Sequence, residues 1–267
     1  MLALDIGNTK ARLAWLEEGV VREHWLWPTR ELTSAGLTPL LARQAKAGET
    51  LWVASVAPGV NSRVTAAATA VGATCHFLAV DSDQIMPHRL SSPQTTGVDR
   101  LLVALGAGGQ APGAYIVIQC GSAATVDWVD SEGFYRGGYI LPGPRLWLQG
   151  LGLAECLPDL SREDWLGESS EPGDATRSAL LGGLAVGLPA AVAAAVARLG
   201  EKLGPVPLTL TGGWAGALAP RLANLAPRLV PDLLFLGIAR WVAENHRAGV
   251  GGGEVGQVGD RPGKDGN

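Results

Sequence analysis

The residues best suited to chemistry are carboxylates and an arginine set beside small polar turns. Near the start an apolar run reaches Asp5, breaks at Gly7-Asn8-Thr9-Lys10 and resumes through Ala11 to Leu16. Gly7 can take the positive φ of a tight turn and lets a ligand approach the backbone, while Asn8 and Thr9 add polar groups beside exposed amides. Such a turn suits a phosphate. The stretch 114–138 repeats the layout: apolar Ile116-Val117-Ile118, then Gln119-Cys120-Gly121-Ser122-Ala123, then Thr125 to Val129 and a second turn at Glu132-Gly133. Gly121 follows Gly7, and Gly133 follows Gly19, by the same 114 positions. Two matched hairpins predict a duplicated domain whose glycine turns face one another across a cleft and hold a nucleotide's phosphates from both sides. Between the copies, Gly97-Val98-Asp99-Arg100 opens an apolar helix. A carboxylate in a first helical turn can cap or can catalyse, and the local pattern leaves both open for Asp99.

The elements that must position these groups alternate in type. After the first hairpin a third strand runs over 20–27 and carries Trp25 and Trp27 on one face. A helix is expected over 31–47, a buried strand over 51–56, a helix over 61–71 and a strand over 74–80. Strand followed by helix indicates an α/β fold. The polar stretch 81–96 reads as a loop with His88 solvated, and 101–107 as the apolar helix. Pro112-Gly113 marks a boundary between halves spanning 1–113 and 114–247. In the second half Gly137-Gly138 and Pro142-Gly143 frame a short strand over 139–141, 145–156 is expected to be helical, and 161–174 is a loop. Thr176 caps a long Ala- and Gly-rich helix. A strand over 206–210 runs into Thr211-Gly212-Gly213, and 233–244 forms the last helix. The stretch 248–267 is glycine-rich, without apolar period, and is expected to be a flexible tail.

The ordered set of Asp5 with Gly7-Asn8-Thr9, Ser55-Val56 with Pro58, Gly97 with Asp99-Arg100, Gly121-Ser122-Ala123 with Thr125 and Asp127, Gly137-Gly138 with Pro142-Gly143, Leu157-Pro158, Thr176, Thr211-Gly212-Gly213 and Pro231-Asp232-Leu233 resembles the type III pantothenate kinase family. The resemblance implies duplicated ribonuclease-H-like domains of the actin-like ATPase kind with a cleft between them, and ATP-dependent phosphorylation of pantothenate, the first step of coenzyme A biosynthesis. It implies that Asp99 is the base toward the pantothenate hydroxyl and that Gly97 and Arg100 bind the acceptor. Asp5, Gly7, Asn8, Thr9, Lys10, Gly121, Ser122 and Ala123 would hold the phosphates, and Gly212 and Gly213 would meet the adenosine. Asp5 would sit near Mg²⁺ through water, since that ion gives up its hydration reluctantly. Thr176 would reach the partner's substrate pocket in a homodimer. The family has Asp where this chain has Gln119, and Thr where it has Ser122. That Asp resembles a ligand of a monovalent cation, K⁺ or NH₄⁺, so Gln119 places the cation site in question. The family's tyrosine shortly before Gly97 is also missing, only Leu90 to Thr96 standing there. Two other readings remain: a catalytically impaired nucleotide-binding regulator or accessory protein, and a kinase of another small hydroxylated metabolite.

Composition narrows the classes. The chain has 267 residues, is 47% hydrophobic and carries a net charge of −4. This suffices for a large core and, without a run of Lys or Arg, argues against nucleic acid. Cys75, Cys120 and Cys156 are odd in number and widely spaced, which fits a reduced cytoplasmic protein better than a disulfide framework or a zinc site. The stretch 178–197 has no charged residue, but its Ala, Gly and Pro189 favour a packed helix over a membrane span.

Overall fold

A computed structural model describes residues 1–46, 48–109, 113–153, 157 and 171–246. The first hairpin and its continuation form β1 (Leu2–Ile6), β2 (Lys10–Glu17) and β3 (Val20–Pro28), followed by α1 (Ser34–Gln44), β4 (Thr50–Ser55), α2 (Asn61–Ala70), β5 (Thr74–Leu78) and α3 (Val98–Gly108). The second set is β6 (Tyr115–Cys120), β7 (Ala123–Val129), β8 (Tyr135–Pro142), α4 (Pro144–Leu151), α5 (Thr176–Leu203), β9 (Leu208–Thr211), α6 (Ala215–Leu218), β10 (Arg228–Leu229) and α7 (Leu233–His246).

One sheet has the order β3-β2-β1-β4-β5 and the other β10-β9-β6-β7-β8. Taken from its β8 edge, the second repeats the first: an antiparallel three-strand meander joined through its first strand to a parallel strand. The duplication expected from the glycine spacing is therefore present in the topology.

Side-chain alternation sorts the residues into layers. Leu2, Leu4 and Ile6 face outward onto α1 and α2, together with Leu37, Leu41 and Val64. Ala3 on the opposite face joins a central core with α3, α7 and the inward residues Tyr115, Val117, Val129 and Tyr135 of the second sheet. On the far side Ile116, Ile118 and Cys120 pack under α5. Two helices, α3 and α7, thus fill the space between facing sheets. They cross closely because Gly106 and Gly237 stand at the contact: a Cβ on Gly237 would collide with the Leu102 carbonyl, and one on Gly106 with that of Leu233.

Several expectations change. The first helix begins at Ser34, capped by the Thr33 hydroxyl at 3.1 Å from the Gly36 amide, and it accommodates Pro39. The expected turn at Gly137-Gly138 is instead part of one strand, β8. Gly137 adopts φ +82° beside a bulge opposite Asp127, so the chain kinks without leaving the sheet. The helix expected over 145–156 is α4, which ends at Leu151; 154–156, residues 161–170 of the expected 161–174 loop and the 248–267 tail lie outside the described residues. By length and composition α5 could cross a membrane, yet Leu181, Leu184, Leu188 and Val192 on its inner side belong to the core of the second sheet.

Candidate active site

The two glycine turns meet. In the first, the Gly7 amide donates to the Lys10 carbonyl at 3.0 Å, and Thr29 braces the turn from the end of β3, its hydroxyl donating to the Gly7 carbonyl at 2.6 Å. In the second, the Gly121 amide donates to the Ala123 carbonyl at 2.9 Å, and Gly143 packs so tightly against Gly121 and Ser122 that a Cβ would collide with their carbonyls. Across the gap the Ser122 hydroxyl donates to the Thr9 hydroxyl at 2.8 Å, joining residues 113 positions apart. Beside the second turn, Gly212 takes φ +101° directly over Cys120, and the Trp214 amide donates to the Cys120 carbonyl at 3.0 Å. Only a residue without a side chain fits there, so the Thr211-Gly212-Gly213 turn lies against the end of β6 that carries Gly121.

Asp5 projects inward from β1, opposite Arg12 on β2. The Arg12 guanidinium donates to its carboxylate at 2.9 and 3.1 Å, reaches Asp232 at 3.3 Å, and lies over the Phe235 ring. Burial nevertheless lifts the Asp5 carboxyl above the ordinary range, Arg12 opposing the rise. Sequence reasoning missed Arg12. A hairpin turning at Gly7–Lys10 pairs positions 5 and 12, so the signal was there.

Asp99 and Arg100 occupy the first turn of α3. The N-cap is Gly97, which has no side chain to cap with, and the Arg100 amide in the first turn stabilises the Asp99 carboxylate, so a helix-end role and a part in chemistry are both compatible with its position. The Asp99 carboxyl is pushed up to about 6, first by burial and next by the negative charge of Asp5, with Asp127 adding to it and Arg100 opposing. Carboxylates from both sheets thus act on the group that starts the central helix. A carboxylate so tuned is ionised at neutral pH yet basic enough to orient and take a hydroxyl proton. Arg100 extends to the second sheet, where its guanidinium forms a two-pronged ion pair with Asp127: Nε donates to Oδ2 at 3.3 Å and Nη2 to Oδ1. The Tyr135 hydroxyl donates to the same Oδ1 at 2.8 Å. Neither the pairing of Arg100 with Asp127 nor that of Asp127 with Tyr135 was identified from the sequence.

Gln119 lies between Thr125 and Thr211 on neighbouring strands. The Gln119 Oε1 and Thr125 Oγ1 atoms are buried without a hydrogen-bond partner among the described residues. His88, expected in solvent, is half-buried and bridges to Tyr135 at the β8 edge. Thr176 is exposed at the start of α5 and does not cap it. The capping side chain is Ser178, whose hydroxyl accepts from the Ala175 amide at 3.1 Å.

Residues 1–198 match the family model described as type III pantothenate kinase. Relatives bearing that name include one from Laribacter hongkongensis, 34% identical over 243 residues and covering 90% of this chain and 97% of the relative. One from Zymomonas mobilis is 32% identical and covers 90% of each. The fold is also that of a ROK hexokinase from Thermus thermophilus, with a TM-score of 0.51 at 15% identity over 93% of this chain and 99% of the other. Facing duplicated sheets, two touching turns and an Asp-Arg pair at the head of the central helix are what the matched motifs build in three dimensions, and the chain belongs to the type III pantothenate kinase family.

Proposed function

We propose that the protein transfers the γ-phosphoryl group of ATP to the primary hydroxyl of pantothenate, giving 4′-phosphopantothenate and opening coenzyme A biosynthesis. The observation that carries this reading is the Thr9–Ser122 contact, which brings the two glycine turns together. Phosphoryl transfer asks the protein to hold donor and acceptor in line and to offset spreading negative charge. In this reading Gly7, Asn8, Thr9 and Lys10 on one turn, and Gly121, Ser122 and Ala123 on the other, hold the triphosphate, with Gly212 and Gly213 under the adenosine. Asp99 takes the hydroxyl proton. Arg100 binds the acceptor carboxylate with the guanidinium edge that Asp127 leaves open, and Gly97 leaves room beside it.

Mg²⁺ suits the Asp5 position, because two half-buried carboxyls, Asp5 and Asp99, repel one another there and a divalent ion would relieve both. When bound it supplies charge neutralisation at the phosphates. The position of Gln119 fits a monovalent cation less well: its unpartnered oxygens, Gln119 Oε1 and Thr125 Oγ1, are neutral. We therefore draw no step through K⁺ or NH₄⁺. The direct test is incubation with ATP, Mg²⁺ and pantothenate, with and without K⁺. Stoichiometric ADP and phosphopantothenate are expected, with turnover changing little when K⁺ is replaced by a large organic cation. Absence of product from folded protein would overturn the assignment and favour a nucleotide-binding accessory role; product only with another hydroxylated metabolite would redirect it.

A homodimer completes the reading, with Thr176 entering the partner's pocket. Its support is the run of exposed apolar side chains Ile140, Leu146 and Val186 on the adjoining β8, α4 and α5. Sedimentation is expected to give twice the chain mass, and Val186→Glu to shift it toward the single chain; a parent protein that sediments as a monomer at all concentrations removes the role of Thr176. A cytoplasmic setting is supported by the free thiols Cys75 and Cys120.

A further inference from the structure

The ion pair between Arg100 and Asp127 is more elaborate than packing requires. Asp127 is 1% exposed and Tyr135 0%, so a charge pair and a phenol hydroxyl are held in the layer between the sheets. Buried ion pairs are poor stabilisers, since desolvation offsets most of their attraction and an apolar set of the same shape often does as well. A reason other than stability is therefore needed for placing one beneath the first turn of α3.

Geometry suggests the reason. A guanidinium has five N–H donors in a rigid plane. Asp127 takes the edge formed by Nε and Nη2, which fixes the plane and leaves the opposite edge, with Nη1, facing away from it. Tyr135 holds the Asp127 carboxylate in turn. The same tyrosine anchors the segment leading to Gly97 through its backbone: its amide donates to the Pro87 carbonyl at 2.8 Å, and its carbonyl accepts from the Arg89 amide at 3.0 Å. The Arg89 guanidinium then lies 3.9 Å above the ring of Phe134, the residue preceding Tyr135. One residue of β8 thus ties down both the strand that supports Arg100 and the loop that delivers Asp99 and Arg100.

We propose that Asp127 and Tyr135 are positioning residues for the phosphoryl acceptor, setting the orientation in which Arg100 presents its free edge to the acceptor carboxylate and so aligning the hydroxyl with Asp99. The inference rests on the reading that Arg100 binds the acceptor. It assigns to the second sheet, through side chains that touch no substrate, control over substrate alignment at a helix that belongs to the first half of the chain.

The test is steady-state kinetics on the full-length protein with ATP and pantothenate varied separately. Tyr135→Phe, which removes one oxygen, is expected to raise the KM for pantothenate about 5-fold, and Asp127→Asn about 30-fold or more, the larger effect reflecting a charge-assisted pair. The KM for ATP should stay within about twofold in both. A purely structural role would instead lower the melting temperature and change both KM values together, and that result overturns the proposal, as does an unchanged pantothenate KM. If Asp127→Asn does not fold, Tyr135→Phe decides alone. Arg100→Ala separates the two levels. Should it leave pantothenate binding unaffected, Arg100 is not the acceptor ligand and the clamp has nothing to orient; should it weaken binding while Tyr135→Phe and Asp127→Asn do not, the clamp alone is wrong.

Discussion

Asp99→Asn is expected to lower kcat by about 10²–10⁴-fold, the usual span for losing a general base, while the KM for ATP changes little. In the parent protein kcat/KM should rise with pH through about 6 and then level, because burial and the nearby Asp5 hold the Asp99 carboxyl at about 6 rather than 3.8. The same displacement carries a stability consequence whose sign is opposite to that of a salt-bridged acid. A carboxyl whose folded value is raised favours the folded state when protonated, so its contribution is complete below 3.8 and is lost as pH rises through about 6. Ionised Asp99 then costs about 3 kcal/mol of stability at pH 8. The asparagine variant should melt higher at pH 8 than the parent and show little difference at pH 4. A variant that turns over normally, or an acid limb that stays near pH 4, would remove Asp99 from the role of base. Lost ATP binding would mark it as a metal or structural group.

Gly237→Ala should cause the largest loss of stability, about 3 kcal/mol or more, because the added methyl meets the backbone of Leu102 rather than a side chain that can turn aside. Helix propensity alone would favour alanine by about 1 kcal/mol, so the collision must outweigh a gain. Parting α3 from α7 also displaces the first turn of α3, so kcat/KM for pantothenate should fall with stability. Gly200→Ala on α5 is a control, since a Cβ there meets nothing within 4 Å and should be neutral or stabilising. Chemical denaturation measures both; equal midpoints for parent and Gly237→Ala would show that the helices do not cross at this distance.

How much of this was legible without coordinates depends on the range of the interaction. Each hairpin was readable because its strands are sequence neighbours: alternation shows which residues face inward, and a glycine with two small polar residues marks the bend. Their repetition 114 positions apart carried the duplicated architecture, and the order of motifs carried the family and the candidate roles of Asp5, Asp99 and Arg100. The continuity of β8 was not legible. Gly137-Gly138 is a turn signal in a single chain, and only pairing with β7 makes it a bulge within a strand.

Residue type and near-neighbour spacing were enough for the two turns, the apolar faces and the presence of the Asp-Arg pair. The tertiary structure alone decided which charge answers which. Arg12 contacts Asp232, 220 positions away, and Arg100 contacts Asp127, 27 positions away on the opposite sheet. Charge attraction has no preferred partner along the chain; it becomes specific only when packing of α3 and α7 between two sheets excludes water and fixes the distances.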